Sequence, residues 1–119
     1  MPRLRTQESE ERYKKLIVTG YLDSGCRLCE APSLKDFERW KIIRNDFPYD
    51  LIAQVHDMIV PKRHVKESNL SEEEKKEYGE IKATYVENEY EFIMEPTLKL
   101  KSIPEHFHLH LVVVKDKLG

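Results

Sequence analysis

The chain has 119 residues, 39% of them apolar, with 20 Lys and Arg against 22 Asp and Glu for a formal net charge of −2. That content can bury one modest core but not two, and the interspersed charges exclude the basic footprint of a nucleic-acid-binding surface. No apolar run approaches membrane-spanning length and Met1 to Glu8 lack the apolar stretch of a signal peptide, so a single cytoplasmic domain is expected, its two cysteines reduced or metal-bound rather than paired.

In chain order, Tyr13, Leu16 and Ile17 fall at helical spacing among charges and predict an amphipathic helix from Gln7 to Thr19, ending at Gly20. Asp23-Ser24-Gly25-Cys26-Arg27-Leu28-Cys29 reads as a turn-rich loop. After Pro32, Phe37 to Ile43 predicts a strand that breaks at Asn45-Asp46-Phe47-Pro48, and Leu51 to Val60 a second, ended by Pro61. Ser71-Glu72-Glu73-Glu74 is a capping box, with Leu70 placed for a hydrophobic staple, and opens a helix to about Asn88. Tyr78, Ile81, Tyr85 and Val86 form its apolar stripe, while the Glu and Lys run at 72–77 is a solvated face. Phe92 to Met94 and Leu98 to Leu100 are short strand candidates flanking Pro96, and His106 to Val114 is the clearest strand.

That last segment carries the chemistry. In His106-Phe107-His108-Leu109-His110-Leu111-Val112, histidines alternate with apolar residues at a period of two. On a strand the three imidazoles point to one face and Phe107, Leu109 and Leu111 to the other. Imidazole suits metal ligation and proton or phosphoryl transfer at neutral pH; a solvated strand face or three metal ligands are the competing readings. Cys26-Arg27-Leu28-Cys29 is the second signal. Two thiolates at this spacing can share one ion, but a tetrahedral site needs two more ligands, and Gly25 and Pro32 disfavour a redox pair where a strand enters a helix. Inert, reduced cysteines are the alternative. If zinc is present, histidine must complete the site, and outside the row the candidates are His56 and His64.

The block Val55-His56-Asp57-Met58-Ile59-Val60-Pro61-Lys62-Arg63-His64-Val65, followed by a capped helix and then the histidine row, resembles the histidine triad (HIT) superfamily over roughly residues 22–114. That superfamily includes nucleoside phosphoramidate hydrolases, dinucleoside polyphosphate hydrolases and phosphorylases, and galactose-1-phosphate uridylyltransferase. The resemblance implies a HIT-like α+β fold: an antiparallel sheet of about five strands, the helix at 71–88 packed on it, and a peripheral N-terminal helix in an extension at 1–21. It implies a structural Zn²⁺ held by Cys26, Cys29, His64 and His106. It makes His108 the nucleophile, forming a nucleotidyl-histidine on an α-phosphorus that water then hydrolyses, with a backbone carbonyl holding the other ring nitrogen as N–H. His110 and His56 would line the phosphate site. Members often pair, so a homodimer is implied, with a nucleotide or nucleotide conjugate as the small-molecule partner.

Substrate contacts depart from the pattern. Where hydrolytic members carry an Asn and a Gly-Gln-Ser/Thr segment, this chain has Met94 to Glu105 with neither Gly nor Gln. Ser102 stands at the Gln position, Pro104 removes a backbone donor, Glu105 adds a charge unfavourable to phosphate, and Lys99 and Lys101 offer compensation or simply face solvent. An Asn-x-Phe-Pro turn like that at Asn45 precedes the second strand in the transferase and phosphorylase branches. Phe47 would there stack on a base and Asn45 or Asp46 reach a ribose hydroxyl; the other reading is a strand-ending turn with a buried Phe. Two functions follow, a nucleotidyl hydrolase or transferase, or a zinc-stabilised nucleotide-binding or interaction module without efficient turnover.

Overall fold

A computed structural model describes residues 4–18, 26–97, 103 and 105–115. The turn at 23–25, the strand candidate at 98–100, and Ser102 with Lys99, Lys101 and Pro104 lie outside these residues. Helix α1 spans Gln7–Val18 and a single turn, α2, spans Arg27–Glu30. Strands β1 (Ser33–Asp36), β2 (Trp40–Arg44) and β3 (Ala53–Pro61) follow. Helix α3 (Glu72–Ile81) continues through a π-helical stretch, Lys82–Val86, into a last turn, Glu87–Glu89. Strands β4 (Phe92–Met94) and β5 (Leu109–Val114) complete one five-stranded sheet in the order β1-β2-β3-β5-β4, every pairing antiparallel. Among the described residues no helix is long and apolar enough to cross a membrane.

The α+β architecture matches the sequence expectation, while several boundaries move for identifiable reasons. β1 was not anticipated because all four of its residues are exposed on a sheet edge and show no alternation. Its hairpin to β2 closes where the Phe37 N–H donates to the Trp40 carbonyl at 2.8 Å, so Phe37 to Arg39 form a turn and the expected strand starts at Trp40. The Ile52 and Ala53 N–H groups both donate to the Tyr49 carbonyl, which delays β3 to Ala53. His106 to His108 precede β5 instead of forming its start.

The two sheet faces bury different things. Trp40, Ile42, Ile59, Leu109 and Leu111 pack with Ile81, Val86 and Phe107 beneath α3. Trp40 is completely buried, and its indole N–H donates to the Glu74 carbonyl at 2.9 Å. The predicted capping box is present: Ser71 Oγ accepts from the Glu74 N–H, and Glu74 Oε1 accepts from the Ser71 N–H. The same buried carboxylate takes a bidentate pair from Arg63 at 2.6 and 3.0 Å, which holds its pKa down at about 2. The start of α3 is thereby tied to the loop carrying His64. On the opposite face, Ile43, Met58 and Val60 pack with Leu28 of α2. Register places Met58 opposite His110 and His56 opposite Val112, so the histidines share this second face.

Candidate active site and metal centre

The α2 turn presents the two thiols of Cys26-x-x-Cys29 toward the loop after β3 and the lead-in to β5. The sulfur atoms and one ring nitrogen each from His64 and His106 all lie within 4.8 Å of one another, and these four residues can hold a metal ion. His106 Nδ1 is 3.4 Å from Cys26 Sγ and 3.3 Å from Cys29 Sγ, and His64 Nδ1 is 3.3 Å from Cys29 Sγ. A tetrahedron with Zn–S of about 2.3 Å and Zn–N of about 2.0–2.1 Å has donor-to-donor edges of roughly 3.3–3.8 Å, so the spacing fits. The tautomer fits as well. His106 is fully buried and its Nε2–H donates to the Pro61 carbonyl at 2.8 Å, which leaves the Nδ1 lone pair facing the sulfurs. Burial, reinforced by the neighbouring Cys26, pushes the Cys29 thiol up to about 11. Coordination reverses that preference by drawing off the proton, so metal binding at this pair is coupled to proton release.

Beside this cluster lies a second one, made of His108, His110 and His56, all buried. His108 Nδ1–H donates to the His106 carbonyl at 2.9 Å, so its lone pair resides on Nε2. The Tyr49 backbone N–H donates to His56 Nδ1 at 2.9 Å, which puts the His56 hydrogen on Nε2. That hydrogen is given to His110 Nδ1 across 2.6 Å, and His110 in turn carries its hydrogen on Nε2. Main-chain groups thus set the tautomers, giving an Nε2 lone pair on His108 and an Nε2–H on His110, with ring centroids 5.5 Å apart. Tyr49 stacks on His110 at 5.2 Å and an interplanar angle of 25°.

Burial, with the Arg5 charge adding to it, lowers the His56 pKa from 6.5 to about 4. The ring is neutral in the fold near pH 7, whereas the unfolded chain protonates it below about 6.5. Between these values the unfolded state binds more protons, so stability falls as pH drops through the window, by on the order of 3 kcal/mol at pH 4. His56→Gln should flatten this fall when urea midpoints of both proteins are compared across pH in the same metal state. Parallel curves would contradict the assignment.

The residues expected to meet ribose and base are occupied within the protein. Asn45 is buried, its Oδ1 accepting the Phe47 N–H at 2.7 Å and its amide nitrogen 3.3 Å from His56 Nε2. Asp46 is exposed, and its carbonyl accepts from Arg12 at 2.9 Å. Phe47 is only 5% exposed, edge-on to Tyr13 at 4.9 Å with Arg12 over its ring, which corresponds to the buried-Phe reading of this turn. Phe47→Ala should cost about 3 kcal/mol, the lower end for deleting a buried ring, read as a lower urea midpoint; an unchanged midpoint would place the ring outside the core.

The cover over Phe47 comes from the N-terminal segment, which sequence reasoning left without a role at the site. Thr6 and Ser9 bond the Asp50 carboxylate, the Leu51 N–H donates to the Leu4 carbonyl, and Arg5 Nε donates to the Phe47 carbonyl at 2.8 Å. The Arg5 guanidinium lies over Tyr13 and Tyr49, at 4.6 and 5.1 Å from the ring centroids, so it backs the ring stacked on His110. Tyr49 acts on His56 through its main chain, which leaves no side-chain signal. Arg5 sits in a polar stretch with no period. Buried Lys41 did carry a signal, as a charge inside the apolar run Trp40-Lys41-Ile42-Ile43.

No protein-family model matches the chain, and no curated protein does. Among solved structures, the chain is similar to one described as "Hit Like Protein", with a TM-score of 0.53 over 85% of this chain and 96% of that one, at 16% sequence identity. At that identity the likeness is one of fold: this chain has a HIT-like α+β fold.

Proposed function

We propose that the chain is a nucleotidyl hydrolase or transferase acting on nucleoside 5′-phosphoryl substrates of the phosphoramidate or dinucleoside polyphosphate type. The observation that carries this reading is the tautomer wiring: the His106 carbonyl keeps the His108 lone pair on Nε2, and the Tyr49–His56 chain keeps a hydrogen on His110 Nε2. His108 Nε2 attacks the α-phosphorus, the bond to the leaving group breaks with its electron pair leaving on that group, and a nucleotidyl-histidine results. Water, or an acceptor in the transferase case, then attacks the same phosphorus, the P–N bond breaks with its electron pair returning to His108 Nε2, and the proton of the attacking group passes to solvent. His110 donates to a phosphoryl oxygen where negative charge grows.

Two thiolates with two imidazoles are a donor set suited to Zn²⁺. Bound there, zinc would supply a closed structural cross-link among α2, the loop after β3 and the lead-in to β5. The chain's own residues carry the chemistry. A second reading, a nucleotide-binding module without efficient turnover, is favoured by the burial of Asn45 and Phe47 and by the absence of Gly and Gln between Met94 and Glu105.

The test is turnover of a panel of nucleoside 5′-phosphoramidates and dinucleoside polyphosphates by the wild type, with His108→Asn purified identically. Turnover that disappears in the variant is expected. A folded, metal-loaded wild type no faster than the variant on every substrate would overturn the enzyme reading in favour of the binding module.

A further inference from the structure

Lys41 is the second residue of β2 and is only 8% exposed. A lysine is almost never this buried unless its ammonium is partnered. No carboxylate forms an ion pair with it among the described residues; Asp36, opposite in the β1 register, is instead bonded by Ser33 and paired with Lys62. Its partners are main-chain carbonyls, that of Cys29 at 3.2 Å and that of Ala31 at 2.8 Å. These close the α2 turn, whose own bonds run from the Glu30 N–H to the Cys26 carbonyl and from the Ala31 N–H to the Arg27 carbonyl. A four-residue helix leaves its last carbonyls without intrahelical donors. Lys41 supplies them from the sheet, on the face that carries Ile43 and Val60 and packs against Leu28 and Cys26.

We propose that Lys41 is a positioning residue of the metal centre, clamping the Cys26–Ala31 turn to β2. The proposal rests on reading Cys26, Cys29, His64 and His106 as a metal site. The ammonium donates to the carbonyl of Cys29 itself, so the backbone bearing one sulfur is fixed relative to the strand. Outer contacts of this kind orient ligands and change metal affinity by about 10–100-fold when removed.

The test is competition of Co²⁺ and Zn²⁺ against a chromophoric chelator for the full chain, Lys41→Met and Lys41→Arg, with the thiolate-to-cobalt charge-transfer band recorded in each. Lys41→Met should bind at least tenfold more weakly and shift that band. Lys41→Arg, which keeps charge and donors, should recover most of both. Equal affinity and an identical band in Lys41→Met would overturn the proposal, as would equal weakening in Met and Arg, which would make the side chain a space-filler. If Lys41→Met does not fold at saturating metal, Lys41→Gln supplies the same comparison. A wild type that binds no ion overturns the metal reading itself, a result distinct from failure of the clamp.

Discussion

Cys29→Ser is expected to lose the metal ion and more than 10 °C of melting temperature together. A ligand held at a thousand times its Kd stabilises the fold by about 4 kcal/mol, and about 1 kcal/mol moves the midpoint of a domain near this size by roughly 4 °C. The cross-link joins segments far apart in sequence, Cys26 and Cys29 to His64 and His106, so its loss releases α2 and the lead-in to β5 at once. A chelator added to the wild type should reproduce the drop, and leave the variant's melting temperature where it was. Metal content by elemental analysis and a thermal melt on the same samples check both halves. Unchanged stoichiometry in Cys29→Ser would rule out Cys29 as a ligand; lost metal with an unchanged melt would rule out a structural role.

His108→Asn is expected to lower kcat/KM by on the order of 10³-fold or more while leaving the fold and the metal content intact. Asparagine is close in size, and its side-chain N–H can still donate to the His106 carbonyl that now takes Nδ1–H. It offers no nucleophilic lone pair. The substitution therefore separates the attacking nitrogen from the hydrogen bond that orients it. Steady-state kinetics on the best substrate of the panel, with circular dichroism and metal content as controls, reads the effect. Residual activity within tenfold of wild type would move the nucleophile elsewhere.

The contrast between what sequence pattern reveals and what it conceals is physical. Period-two alternation at 106–111 sorts the side chains correctly, with Phe107, Leu109 and Leu111 in the α3 core and the histidines away from it. It does not say which residues join the ladder. The Phe107 N–H donates to the Val65 carbonyl and the His106 side chain to that of Pro61, so this stretch is bonded to the end of β3 and the loop after it, ahead of β5 proper. Cys26 and Cys29 were legible as a pair from their spacing, while His64 and His106 came as fellow ligands only from the resemblance to the histidine triad superfamily. The capping box at Ser71 and Glu74 was legible because its partners are three residues apart.

The N-terminal docking was not. Its contacts join residues more than 30 positions apart, among them Arg5 with Phe47 and Thr6 with Asp50, and part of the bonding goes to main-chain acceptors any sequence would offer. β1 was missed because an exposed edge strand needs no apolar alternation, and β2 was read too long because its near-continuous burial hides the period. Arg63 and Glu74 are another pair that sequence separates and the fold joins, through a carboxylate already committed to the capping box.

Covalent attachment of His108 to phosphorus is read by rapid-quench intact-mass analysis of the wild type with its best substrate. A transient protein species heavier by one nucleotidyl group is expected, mapped by fragmentation to the peptide bearing His108 and absent from His108→Asn. Full turnover with no such species at any quench time, or an adduct mapped to another residue, would contradict it.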